Sequence, residues 1–231
     1  MPVAFIAIQG NWVNIAYLFT ESAGKFGTLA IIIFTSYCYT IRIKSKSKKQ
    51  FTFVKSMVAV SVFIGLLAFV NEYLTKPIIK EVRPSHTYIL HQINQQSLVD
   101  SLYHLTKSER KVFFENAVHF NNNKFLNINP KVLNHWIEEA GYSFPSGHSF
   151  NAYLLATIMA FSLYHATNKK WNKYFWIPLL WACLVGVSRV ALGVHTAVDV
   201  SIGALVGFCI AAIFIKIDTT RKLLIHKHHN P

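Results

Sequence analysis

The sequence predicts an all-α fold: a polytopic bundle of transmembrane helices with a small helical cap outside the membrane. Three observations predict it. The chain of 231 residues is 52% hydrophobic and only 14% charged, a balance ordinary for a membrane bundle and unusual for a soluble domain. Apolar runs long enough, or nearly so, to cross about 30 Å of hydrocarbon recur along it. The basic residues gather between those runs.

Five runs read as spans, at 27–43 (GTLAIIIFTSYCYTIRI), 53–73, 150–166, 174–192 and 197–217. A weaker sixth, 3–19, contains Gln9, Gly10, Asn11 and Asn14, and is expected in the interface or outside rather than across. No cleavable signal peptide stands out, because MPVAFIAIQGNWVNIAYLF lacks a basic start and an AxA-type site. Arg42, Lys44, Lys46, Lys48, Lys49 and Lys55 surround the first loop. Lys169, Lys170 and Lys173 mark the loop near 166–173, and Lys216, Arg221, Lys222 and Lys227 follow the last run. By the positive-inside rule these three regions are cytoplasmic, which puts 74–149 and the turn near 189–197 on the outer side.

The net charge of +13 therefore suits loops facing an anionic leaflet, and nucleic acid is not expected as a partner. Cys38, Cys183 and Cys209 lie in apolar runs without a CxxC pair and read as small buried residues. The whole chain, 1–231, reads as one domain with an outer insertion at 77–143 and a basic cytoplasmic tail at 218–231. Within the insertion, Thr106 and Glu109 form a capping-box pattern ahead of KVFFENAV. Asn129 and Pro130 read as cap and first turn, Gly141 as a stop, and HFNNNKF at 119–125 as a loop.

Three polar clusters fall at the outer ends of spans. KPIIKEVRP brings Lys76, Arg83 and Pro84; PSGH brings Pro145, Ser146, Gly147 and His148; SRVALGVHTAVD brings Ser188, Arg189, His195 and Asp199. Lys76, Arg83 and Arg189 supply three positive charges, and Ser146 a hydroxyl. Gly147 supplies an amide that a ligand can approach closely. The free N–H groups at the start of the 150–166 helix face the same place, so the set reads as a phosphate cradle. Carboxylates for a metal pair are lacking, so the cations must neutralise the phosphoryl oxygens. His195 and Asp199 are spaced i, i+4, which on a helix shares one face. The carboxylate then holds one ring nitrogen protonated and frees the other to attack, while His148 supplies a general acid. Each cluster alone also reads blandly, as interfacial anchors, a helix-start turn and a polar helix contact.

Lys76-x6-Arg83-Pro84, Pro145-Ser146-Gly147-His148 and Ser188-Arg189-x5-His195-x3-Asp199 together resemble the three-part signature of the type 2 phosphatidic acid phosphatase superfamily. VDSLYHLTKSERKVFFENAV and LNHWIEEAGYSFPSGHS resemble the outer insertion of its bacterial phosphatidylglycerophosphate phosphatase B branch. The resemblance implies a metal-independent, cofactor-free phosphatase of membrane lipids in the bacterial inner membrane, with its site on the outer side. It implies His195 as nucleophile, Asp199 as its orienting acid and His148 as general acid. Lys76, Arg83, Ser146, Gly147 and Arg189 would hold the phosphate. Phosphatidylglycerophosphate, phosphatidic acid and undecaprenyl pyrophosphate are the substrates it suggests, and a monomer is expected. Members commonly have six spans, so the weak N-terminal run is where this chain departs.

Rival readings remain at this stage: a lipid phosphotransferase, a soluble vanadium haloperoxidase, a non-catalytic lipid-phosphate-binding protein and a proton-coupled transporter. Five apolar runs oppose the second. Intact motifs oppose the third, and the span-end position of the ionisable groups opposes the fourth.

Overall fold

The computed structural model describes residues 10–41, 43–166 and 169–217, and it is helical throughout. The tail at 218–231 and the start of the weak N-terminal run, 3–9, lie outside the described residues. Twelve α-helices follow in order among them. They are α1 (Trp12–Ser22), α2 (Lys25–Thr40), α3 (Lys46–Val70), α4 (Lys76–Ile79), α5 (Pro84–Gln92), α6 (Val99–His104), α7 (Lys107–Phe120), α8 (Pro130–Glu138), α9 (Gly147–Ala166), α10 (Lys169–Asn172), α11 (Ile177–Ala191) and α12 (Ala197–Lys216).

Two of these elements are long and apolar enough to cross a membrane. One is α12; the other is the rod Lys46–Ile79, made of α3, a π-helical turn at Asn71–Thr75 and α4. A third is added if α1 and α2, bent by 56° at their junction, form one broken span. The runs at 27–43 and 174–192 fold into helices of 16 and 15 residues, shorter than the roughly 20 residues a full crossing takes. The run at 150–166 becomes α9, which sits in the middle and packs against α12, α11, α2 and α3. A helix surrounded by protein need not be apolar all round, and α9 carries Ser149, Asn151, Thr157 and Ser162.

The side chains divide by solvent. Along α3, Phe51, Val54, Val58, Val62, Leu66 and Phe69 point outward, the stripe expected of a helix against lipid. Inside, Ile32, Val60, Ile64, Phe150, Leu154 and Ile158 form one apolar cluster. Cys38 is buried, but Cys183 and Cys209 are exposed. This corrects the expectation that all three are buried: an apolar run on the rim of a bundle offers half its residues to the outside.

Helices α9 and α12 meet closely through two glycines. On α12, a Cβ at Gly203 would come within 2.7 Å of Ser146 O, and one at Gly207 would collide with the Phe150 carbonyl. This small-xxx-small face lets the backbones of α9 and α12 touch. It brings the start of α9 to the start of α12, where the Ser146 N–H donates to Asp199 O at 3.1 Å. Two distant sequence motifs thereby meet.

A second core lies under the cap. Ile89, Phe114, Val132, Trp136 and Leu192 pack together with Val13 and Ala16 of α1, so the N-terminal helix belongs to the cap's core. Its helices start as their sequences dictate. Thr106 and Glu109 form a reciprocal capping box on α7, and the Asn129 side chain accepts from Lys131 N–H, with Pro130 in the first turn of α8. The 119–125 stretch instead ends α7 at Phe120 and makes a short 3-10 turn at Asn122–Lys124.

Candidate functional site

A cavity of about 860 Å³ opens between the rod, the cap and the start of α9. Lys76, Arg83, Gly147, His148 and His195 line it. All three sequence clusters therefore reach one place.

Lys76 follows the π-helical turn, a feature frequent at functional sites. Lys80 then ends α4 in the left-handed region, at φ 54°. The chain reverses so that Arg83 becomes the cap of α5, with Pro84 at its first position. Arg83 is the hub. Its Nε donates to Gly141 O at 2.9 Å, its Nη1 to Val194 O at 3.1 Å and to His195 Nε2 at 3.1 Å. Its Nη2 pairs with Glu139 Oε2 at 2.8 Å. Its backbone N–H donates to Tyr103 Oη at 3.0 Å, and Tyr103 donates onward to His86 Nδ1 at 2.7 Å. Burial and the Arg83 charge hold His86 near about 3, so it stays neutral and can accept.

The His195–Asp199 pair is real, but its geometry differs from the expected helix face. His195 precedes the helix. Thr196 caps α12, and Asp199 at the third position reaches back over it: Thr196 N donates to Asp199 Oδ2 at 2.9 Å and Thr196 Oγ1 to Oδ1 at 2.8 Å. The capping box thus fixes the carboxylate, and Oδ2 lies 3.3 Å from His195 Nδ1. Ser143 Oγ donates to the same oxygen and lies 3.3 Å from Nδ1. The tautomer follows. An arginine can only donate, so His195 Nε2 is the unprotonated nitrogen and Nδ1 carries the proton. Burial, then the Arg83 guanidinium, push His195 down to about 3 despite the Asp199 bond.

Arg189 is fully buried. Its Nη1 donates to His135 Nε2 at 2.9 Å and its Nη2 meets Glu139 Oε1 at 2.7 Å, while its Nε is buried without a partner. His135 and Glu139 are four residues apart, so α8 and the cap residue that ends it present both to Arg189. Burial and the Arg189 charge lower His135 to about 4, which keeps its acceptor nitrogen free. Ser146 is buried at the start of α9, where its Oγ lies 3.5 Å from Ser149 N. Ser188 faces away: it donates to Val185 O at 2.7 Å and meets Thr20 Oγ1 at 2.8 Å, which ties α1 to the bundle.

The sequence reading missed four contributors. Glu139 bridges Arg83 and Arg189, His135 holds Arg189, Ser143 holds Asp199, and Glu72 meets Lys76 at 2.6 Å. Weak signals existed in the i, i+4 spacing of His135 with Glu139 and of Glu72 with Lys76. Burial alone would raise the Glu139 carboxyl, but the Arg189 and Arg83 guanidiniums hold it well below the usual carboxylate range. The site therefore carries an internal anion between its two motif arginines. Among the described residues, no group of three or more His, Cys, Asp or Glu could hold a metal ion.

Comparison with known proteins identifies the family. The PAP2 superfamily profile matches residues 55–223. Phosphatidylglycerophosphatase B of Haemophilus influenzae is 27% identical over 221 residues, covering 91% of this chain and 84% of that protein. The Escherichia coli protein of the same name is 27% identical over 223 residues, 92% of this chain and 82% of its own length. The Bacillus subtilis one is 36% identical over 121 residues, 45% of this chain, and that match spans only 58% of the relative. With the profile covering most of the chain and these relatives beside it, the chain belongs to the PAP2 superfamily and is a phosphatase-type hydrolase.

Proposed function

We propose that the protein dephosphorylates membrane lipid phosphates or pyrophosphates without a metal, through a phosphohistidine on His195. Phosphatidylglycerophosphate, phosphatidic acid and undecaprenyl pyrophosphate are the candidate substrates. One observation carries the reading: two buried arginines and an unprotonated imidazole nitrogen converge where Glu139 now sits. A carboxylate bridging two guanidiniums stands in for a phosphoryl group. The unpartnered Nε of Arg189 is a further donor that a phosphoryl oxygen would satisfy.

The reaction has two steps. The phosphate displaces Glu139 and takes up Arg83 and Arg189, with Lys76, Ser146 and the Gly147 amide around it. His195 Nε2 attacks phosphorus; the N–P bond forms as the bond to the lipid oxygen breaks, and His148 gives that oxygen a proton. The lipid leaves as its alcohol or, from a pyrophosphate, as its monophosphate. Water then attacks phosphorus, loses its proton to His148 and releases phosphate as the N–P bond breaks. Asp199 keeps Nδ1 protonated and stabilises the ring as it becomes positive. The cations offset charge on the equatorial oxygens, the main electrostatic demand of phosphoryl transfer.

The same reading places the cavity at the outer face of a bacterial inner membrane. The basic residues Lys46, Lys48 and Lys49 begin the rod, and Lys76 lies 30 residues along it, roughly 45 Å away at about 1.5 Å per residue. Residues 77–143 act as the cap of a single domain, the five apolar runs as its spans, and the working unit is a monomer. Turnover of a purified panel of the three lipids, with His195→Ala and His148→Ala alongside, tests the chemistry. Loss of nearly all phosphate release in the first, and loss close behind in the second, is expected. Wild-type hydrolysis by His195→Ala would overturn the mechanism.

A further inference from the structure

The cavity holds a second carboxylate bridging two cations. Glu72 Oε2 lies 2.6 Å from Lys76 Nζ, and its Oε1 lies 3.5 Å from Lys107 Nζ. Lys107 comes from the cap, where the Thr106–Glu109 capping box fixes the start of α7. The two bridged pairs share a neighbour. Gly141 O accepts from Arg83 Nε at 2.9 Å. On the same residue, a Cβ would lie 3.5 Å from Glu72 Oε1 and 3.8 Å from Lys107 Nζ. Glu72, Lys76, Lys107, Arg83, Glu139 and Gly141 all line the one cavity.

The reaction proposed above uses one anion position, the one Glu139 fills. It leaves the second unused. We infer that the Lys76–Lys107 position is a subsite for a second phosphate beside the reacting one, and that Lys107 sets a preference for diphosphate monoesters over monophosphates. The inference rests on the phosphatase reading and adds to it. Both positions flank Gly141, Arg83 at its carbonyl and Glu72 beside its Cα, and the subsite reading sets the two phosphates of one diphosphate across them. The Lys107–Glu72 pair is long and both partners are open, at 58% and 36% side-chain exposure. Such pairs hold weakly, so an incoming phosphate can open this one and take Lys107 as its partner. Lys76 then serves both phosphates, and Lys107 only the non-reacting one, which stays on the lipid.

The test compares farnesyl diphosphate with farnesyl monophosphate in detergent, in the wild type, Lys107→Ala and Lys107→Arg. A charge-assisted contact is worth enough for about a tenfold effect. The diphosphate-over-monophosphate ratio of kcat/KM should fall about tenfold in Lys107→Ala, chiefly through KM, and recover in Lys107→Arg. Methylenediphosphonate inhibition should weaken in parallel, relative to methylphosphonate. Lys107 is exposed at a helix start, so loss of fold is not expected, and a melting curve checks it. A ratio that does not move in Lys107→Ala overturns the subsite while phosphatase activity stands. A selective loss on phosphatidylglycerophosphate against phosphatidic acid, with the farnesyl ratio unmoved, overturns the diphosphate assignment in favour of a glycerol-spaced second phosphate. A wild type that cleaves neither farnesyl ester nor any lipid of the three-substrate panel overturns both readings.

Discussion

If Glu139 occupies the phosphate position, Glu139→Ala should loosen the empty protein and tighten its grip on a phosphate mimic. In the wild type the carboxylate meets Arg83 at 2.8 Å and Arg189 at 2.7 Å, with 2% and 0% of those side chains exposed and 21% of its own. Removing it leaves two buried guanidiniums without their anion, and neither can shed its charge. Breaking a buried pair in this way costs about 3–5 kcal/mol, so the empty variant should melt well below the wild type. Orthovanadate reverses the comparison. In the wild type it must displace Glu139 from two charge-assisted bonds, each worth about 1.5–3 kcal/mol net. The displaced carboxylate regains water, so we take the lower end of one such bond as the gain. That is about tenfold in Kd. Vanadate titration, by inhibition and by thermal shift in detergent, reads both effects. The Glu139 contribution has a defined pH range. The folded carboxyl is held well below its unfolded value of about 4.3, so its stabilisation is complete above that value and is lost as pH falls through the folded one. The melting difference between wild type and variant should stay level from pH 8 to about 5 and shrink below about 4. A folded Glu139→Ala protein that binds vanadate no more tightly than wild type would refute the reasoning.

Other outcomes follow from single contacts. Gly207→Val puts side-chain atoms into the Phe150 carbonyl; it should destabilise by more than the usual overpacking cost of about 1–3 kcal/mol, and a wild-type melting temperature would contradict the close α9–α12 contact. His135, lowered to about 4 by burial and Arg189, binds protons more readily unfolded. Stability should therefore fall as pH drops from about 6.5 towards 4, and His135→Gln should flatten that slope in melts taken across the range. Ser143→Ala removes a hydrogen bond to the Asp199 carboxylate, of a kind worth about 1.5–3 kcal/mol. It should lower kcat by up to about tenfold with little change in KM, and an unchanged kcat would remove Ser143 from the support of His195.

Much of this protein is written locally. Thr106 with Glu109 and Asn129 with Pro130 start helices through bonds that span three residues or fewer, so the sequence alone determines them. The motif residues are equally legible, because a phosphate demands cations, free amides and a nucleophile whatever the fold. Tertiary structure decided the rest. The sequence shows that α9 is helical but not that α2, α3, α11 and α12 pack around it, and so not which apolar runs face lipid. The HxxxD spacing suggests a helix face, whereas a capping box places Asp199 beside a histidine outside the helix. Glu139 and Glu72 look like ordinary surface acids until packing sets cations on either side of each. Caps and turns depend on atoms a few bonds apart. An ion pair between α8 and α11 depends on where two helices come to rest, and that is settled by the contacts of the whole chain.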